Sequence, residues 1–172
     1  MKNMFFALVG VCLITHIIRL VYELLKHRKL IIPCKVSFVI ILIDMLLLWT
    51  SWFALCSLDV YRIYLVSGIR YFGLFLVVSG VIIFLTALFT IKTLESYEGE
   101  LIIGGIYSKI RHPMYLGFIL WLLGFPVFCG ALFSFLLSFL FIANVLFWRH
   151  LEEKELEKRF PSYLEYKKTT VF

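Results

Sequence analysis

The chain has 172 residues, enough for one compact unit, and 62% of them are hydrophobic, at a mean hydropathy of +0.97. That excludes an ordinary soluble domain, because a chain of this size has no private core large enough to hide so much apolar surface. The net charge is +6, yet no basic run is interleaved with aromatics on a polar background, so nucleic acid is not an expected partner.

A helix needs about 20 apolar residues to cross the hydrocarbon. In chain order, five stretches qualify or nearly do: about 4–25, 36–56, 71–91, 115–129 and 130–148. They predict one all-helical, polytopic membrane domain over 1–172, with a helical tail over 149–172. The first stretch carries His16 and Arg19 and lacks a small-residue cleavage site, so it reads as a membrane helix and not as a signal peptide. The fourth and fifth meet around Pro126 and Gly130 with almost no loop, which predicts a tight helical hairpin. Gly73, Gly80 and Ala87 in the third, with Gly117 and Gly124 in the fourth, recur every seven residues and predict close helix packing.

Lys and Arg divide unevenly between the two faces. The segments after spans one, three and five hold 13 of them, whereas the other face has Lys2, Arg62 and Arg70. The excess marks the basic face as cytoplasmic, with the amino terminus outside and the carboxyl terminus inside. The two longest polar segments, 93–114 and 149–172, then share that face, and the last hairpin makes them neighbours.

Cys12, Cys34, Cys56 and Cys129 are isolated and form no zinc-ligand spacing, so they read as small hydrophobes and no metal is expected. Within the spans, Asp44 is a buried acid, suited either to function or to bonding with Thr50 or Arg19. Arg19 and Glu23, four residues apart, read as a pair reaching for the membrane surface.

Chemistry-bearing residues gather in the two polar segments. In "KIRHPMY", proline disfavours helix at His112 and suits the first turn of a helix starting at or after Pro113. Helix amino termini offer free N–H groups to anions, and Arg111 adds a planar fork suited to a carboxylate. Gly104-Gly105 in "GELIIGGIY" permits a tight turn. In the tail, "RHLEEKELEKRFPSYLEY" crowds Glu152, Glu153, Glu155 and Glu157 onto one helix, with Arg149 and Glu153 on one face. Each segment also has a plainer reading, as a headgroup anchor or a solvated helix. No hydrolase or metalloprotease motif is present.

Together, "ELIIGGIYSKIRHPMYLG", a membrane hairpin and "EEKELEKRFPSYLEY" resemble the isoprenylcysteine carboxyl methyltransferase family and its phospholipid methyltransferase relatives over about residues 92–166. Pro161 stands where the family usually has Gly. The resemblance implies a helical membrane protein whose cytoplasmic loop before span four and carboxyl-terminal helix enclose S-adenosylmethionine. It implies that Glu100, Leu101 and Ile102 run along the cofactor, partly through backbone. Tyr107, His112, Pro113, Met114 and Tyr115 would frame the same pocket. One acid of Glu152 and Glu153 would hold the cofactor: spacing from Arg149 favours Glu153, and spacing from Phe160 favours Glu152. Arg149 or Arg111 would face the acceptor. The implied reaction is methyl transfer from S-adenosylmethionine to a lipophilic acceptor such as an isoprenylcysteine carboxylate. A phospholipid amine, a small thiol or a hydroxylated metabolite are alternatives on the same fold. Two rivals are a nicotinamide-dependent reductase, for which the chain is short, and a non-enzymatic scaffold or transporter subunit.

Overall fold

The computed structural model describes residues 2–32, 34–91 and 101–172. The described residues form six α-helices: α1 (Lys2–His27), α2 (Lys35–Ser57), α3 (Ser67–Ile91), α4 (Pro113–Cys129), α5 (Leu132–Arg159) and α6 (Tyr163–Thr169), with a short 3-10 turn at Gly105–Ser108 before α4. Helices α1, α2, α3 and α5 are long and apolar enough to cross a membrane, and α4 is a shorter apolar helix of the same bundle. The protein is therefore a multi-pass membrane protein. The five alternate in direction, so the 101–112 segment and the end of α5 lie at one end of the bundle, here the motif end.

Local chemistry sets the helix ends. At α2, the Ser37 hydroxyl accepts from the Cys34 N–H and donates to the Cys34 carbonyl, both at 2.8 Å. Cys34 is thus an exposed capping residue, unlike buried Cys12 and Cys56. Helix α4 starts at Pro113, as the sequence implies, because the first-turn N–H that proline lacks would have no partner there anyway. It stops at Gly130, whose φ of +68° suits glycine. The Ala131 N–H then returns to the Pro126 carbonyl at 2.9 Å and the Gly130 N–H to that of Val127 at 3.2 Å, closing the exposed carbonyls of the last turn. Helix α5 runs two and a half turns or more beyond the apolar stretch, through Arg159, since nothing in "RHLEEKELEKR" breaks a helix. Pro161 follows its end and turns the chain into α6.

Packing divides into a seam and a core. In α3 only Gly73, Gly80 and Ala87 are buried, and the two glycines face Gly124 and Gly117 of antiparallel α4. A Cβ on Gly124 would lie 2.5 Å from the Gly73 carbonyl oxygen, and one on Gly80 would lie 2.8 Å from that of Gly117. The expected small-residue stripe is thus the contact itself. Most of the rest of α3 is exposed apolar surface for lipid. The core lies between α1, α2, α4 and α5, where Leu48, Trp52, Leu122, Phe141 and Val145 are sealed. Helices α2 and α3 each lie against α4 rather than against one another.

The far end of the bundle is stapled shut. Asp59, 3% exposed, accepts from the Ser134 N–H and hydroxyl and from the Tyr61 N–H, each at 2.8 Å. The Ile63 N–H bonds the Gly130 carbonyl at 2.9 Å and the Leu132 N–H bonds that of Tyr61 at 2.8 Å. Arg62 donates to the carbonyls of Ser57 and Cys129, and Arg70 to that of Phe128. Both guanidiniums thereby cover helix carboxyl ends, where cations are favoured.

Candidate active site

At the motif end, the segment before α4 and the tail after the last span come together. The Arg111 N–H bonds the Val171 carbonyl at 3.1 Å and the Val171 N–H bonds that of Lys109 at 2.9 Å. The Arg111 guanidinium donates to the carbonyls of Lys167 and Thr170, at 3.1 and 2.6 Å. Tyr166 donates its hydroxyl to the Tyr107 carbonyl. The tail is therefore knitted to the loop by backbone atoms as well as by charge.

Glu153 sits at the centre of this knot, 7% exposed. One carboxylate oxygen is 3.3 Å from His112 Nε2 and 3.5 Å from Arg111 Nε. The other accepts from Lys167 Nζ at 3.0 Å. Tyr163 brings its hydroxyl to 3.4 Å from His112 Nε2. The next residue along differs: Glu152 is half-exposed, lies 3.7 Å from His112 Nδ1, and lines a cavity that Glu153 does not. Burial pushes the phenols of Tyr107 and Tyr163 above their ordinary range, with neighbouring acids adding to the shift, so both stay neutral donors at ordinary pH.

That cavity, of about 430 Å³, opens at the motif end and reaches into the bundle. It has two unlike walls. On the α1, α5 and loop side it is polar, with Arg19, Glu23, Arg111, His112 and Glu152 among its lining. The lining residues that α2 and α3 contribute are all apolar. Several, including Leu46 at 58% exposure and Phe38 at 36%, also face outward, so the apolar side communicates with the lipid between those two helices.

Of the site residues expected from sequence, Leu101, Ile102, Tyr107, Arg111, His112, Met114, Tyr115 and Glu152 all lie on this cavity. Pro113 is sealed beneath it at the start of α4. Arg149 lies away from the lining, its guanidinium carbon 4.7 Å from the centre of the Phe172 ring. Glu100 falls outside the described residues.

Arg19 and Glu23 form the expected pair, yet they also line the cavity, a placement the sequence reading missed. Their signal was a polar stripe on α1 (His16, Arg19, Glu23, Lys26) that snorkelling alone does not require. Asp44 is buried without a hydrogen bond to Oδ2. Thr50, one suggested partner, instead bonds the carbonyls of its own helix. Among the described residues, no group of three or more His, Cys, Asp or Glu is placed to hold a metal ion.

A family model described as phospholipid methyltransferase matches residues 68–162, from the start of α3 to the turn after α5. No curated protein and no solved structure matches the chain.

Proposed function

The chain belongs to the phospholipid methyltransferase family, and from that membership we propose that this membrane methyltransferase uses S-adenosylmethionine at the motif-end cavity. Its acceptor is a lipophilic molecule such as an isoprenylcysteine carboxylate. One observation carries the reading: His112 and Glu152, from segments far apart in sequence, meet on the polar wall of a cavity whose other wall is apolar and lipid-facing.

The residues present suit the cofactor. Bound S-adenosylmethionine supplies a methyl group on a positively charged sulfur that leaves readily. The rings of Tyr107, Tyr115 and Trp148 on the cavity favour a cation at their faces. Glu152, whose carboxylate is not consumed by the Glu153 knot, would accept from the cofactor's amino or hydroxyl groups. His112 and the neutral Tyr107 phenol fix polar edges around it.

Methyl transfer needs the acceptor oxygen, nitrogen or sulfur in line with the methyl group, so positioning supplies most of the acceleration. A carboxylate acceptor is already ionised, and Arg111, next to His112 on the polar wall, is a lining cation placed to face it. The motif end, cytoplasmic by its excess of Lys and Arg, would admit a polar cofactor, and the gap between α2 and α3 would admit the acceptor. A phospholipid amine is the second reading, favoured by the description of the matching family. It must shed a proton, for which His112 or Glu152 stands ready.

The test supplies methyl-labelled S-adenosylmethionine to the purified protein in lipid nanodiscs, with prenylcysteines and aminolipids as acceptors. Labelled product in the organic phase is expected. Absence both of product and of S-adenosylhomocysteine binding would overturn the reading.

A further inference from the structure

The cavity has a floor, and each of the five bundle helices gives it one residue. The deepest lining positions are Arg19 of α1, Trp49 of α2, Phe84 of α3, Phe118 of α4 and Trp148 of α5. On the apolar side the floor is a packed aromatic plug. The Trp49 ring stands 4.8 Å from Phe118 and 4.9 Å from Trp121. Phe84 stands 5.4 and 5.5 Å from the same two rings. Below it, Phe53 meets Phe125 at 4.8 Å, so α2 and α4 remain filled beyond the plug.

Above Trp49 lies a slot. Phe38, Ile41, Met45 and Leu46 climb one face of α2, with Leu88 opposite on α3. From Phe38 to Trp49 the helix rises about 16 Å, a length matched to one hydrocarbon tail and not to a polar group. The polar wall opposite leaves the headgroup at the mouth, beside Glu152 and His112. A tail therefore points from the mouth toward the plug, the orientation that a lipid of the near leaflet already has.

We propose that Trp49 is the specificity-determining residue for the acceptor's tail: its indole ends the slot and sets the longest single alkyl or prenyl chain accepted. This rests on the methyltransferase reading above and deepens it. Trp49 belongs to α2, outside the residues that match the family, so tail selection is a property of this chain's own amino-terminal pair.

The test uses N-acetyl-S-alkylcysteines from octyl to hexadecyl, with n-alkylamines as a second head series, and the protein in nanodiscs. Two readouts are taken: methyl transfer from labelled S-adenosylmethionine, and quenching of tryptophan fluorescence by nitroxide-tipped alkyl chains. In the wild type, rate and binding rise with length and then break off. Trp49→Ala moves the break to longer chains, with a gain of roughly fourfold in kcat/KM for each methylene newly accommodated. Leu46→Trp adds bulk within the slot at a half-exposed position and moves the break to shorter chains. It keeps the question open should Trp49→Ala fail to fold. An unchanged break in both variants, with folded protein, overturns the assignment of Trp49. A break that shifts in quenching while no acceptor is ever methylated sustains the slot and removes the methyltransferase reading instead.

Discussion

The two ends of the bundle are built from the same parts and put to different use. At the far end, Asp59 gathers three donors, and Arg62 and Arg70 cap helix carbonyls. At the motif end, Glu153 gathers Arg111, His112 and Lys167, and Arg111 caps carbonyls of the tail. The far end stops there, with its acid satisfied and its loops paired. The motif end has a further acid, Glu152, that the knot does not consume, and a cavity beside it. A closed polar cluster reads as structure; the same cluster with a surplus group facing a void reads as a site.

Substitutions can break or sharpen this contrast. The largest effect is expected for Glu153→Ala, which takes away the buried acid shared by Arg111 and His112 and leaves Lys167 with Glu157 alone. Removing one partner of a buried pair costs about 3–5 kcal/mol, so the detergent-solubilised protein should unfold at lower temperature, with the tail cut early by protease. A wild-type melting curve would make the knot ornamental. Asp59→Ala should cost about 2–3 kcal/mol at the far end by stranding buried donors. It should leave S-adenosylhomocysteine affinity per folded molecule intact, and a large drop in affinity would mean the ends are coupled. Gly124→Ala presses a methyl group on the Gly73 carbonyl and should cost about 2 kcal/mol, within the usual range for overpacking, read as a shift in urea midpoint.

Glu152→Gln is the mirror image of Asp59→Ala. Stability should stay within about 0.5 kcal/mol, as for other half-exposed positions, while cofactor affinity falls roughly tenfold with the loss of a charge-assisted bond. Equal binding by both proteins in calorimetry would shift the role to another group. The smallest effect concerns Lys167. Contacts with Glu157 and then Glu153 raise its pKa. Its contribution is therefore complete below the ordinary lysine value of about 10.4 and is lost as pH rises through its higher folded value. Tail protection in hydrogen exchange should weaken slightly over that alkaline window and hold steady below it, in keeping with the small worth of exposed pairs.

Features governed by neighbours in sequence were legible beforehand. The five apolar stretches, the start of α4 at Pro113, the turn at Gly130 and the glycine seam follow from length, backbone chemistry and periodicity. The meeting of the two polar segments followed from topology alone. What the sequence could not show is set by rotation and distance. Spacing could not decide between Glu152 and Glu153, because adjacent residues point about 100° apart and only the phase of α5 sends one into the knot and the other to the cavity. Arg149 shares a face with Glu153 on α5, yet the far-off Phe172 ring claims its guanidinium. Arg19 and Glu23 reach the cavity because α1 packs on α2 and α5, a contact that no local pattern announces.

Helix α5 carries one more consequence. It is 28 residues without interruption, a rod of about 42 Å, against a hydrocarbon slab of about 30 Å. Its outer turns hold Glu152 and Glu153, and no hinge separates them from the portion in lipid. A bilayer that thickens or thins must tilt this lever, and the carboxylates swing with it. Turnover should therefore track acyl-chain length of the surrounding membrane, even when every substrate is supplied in excess.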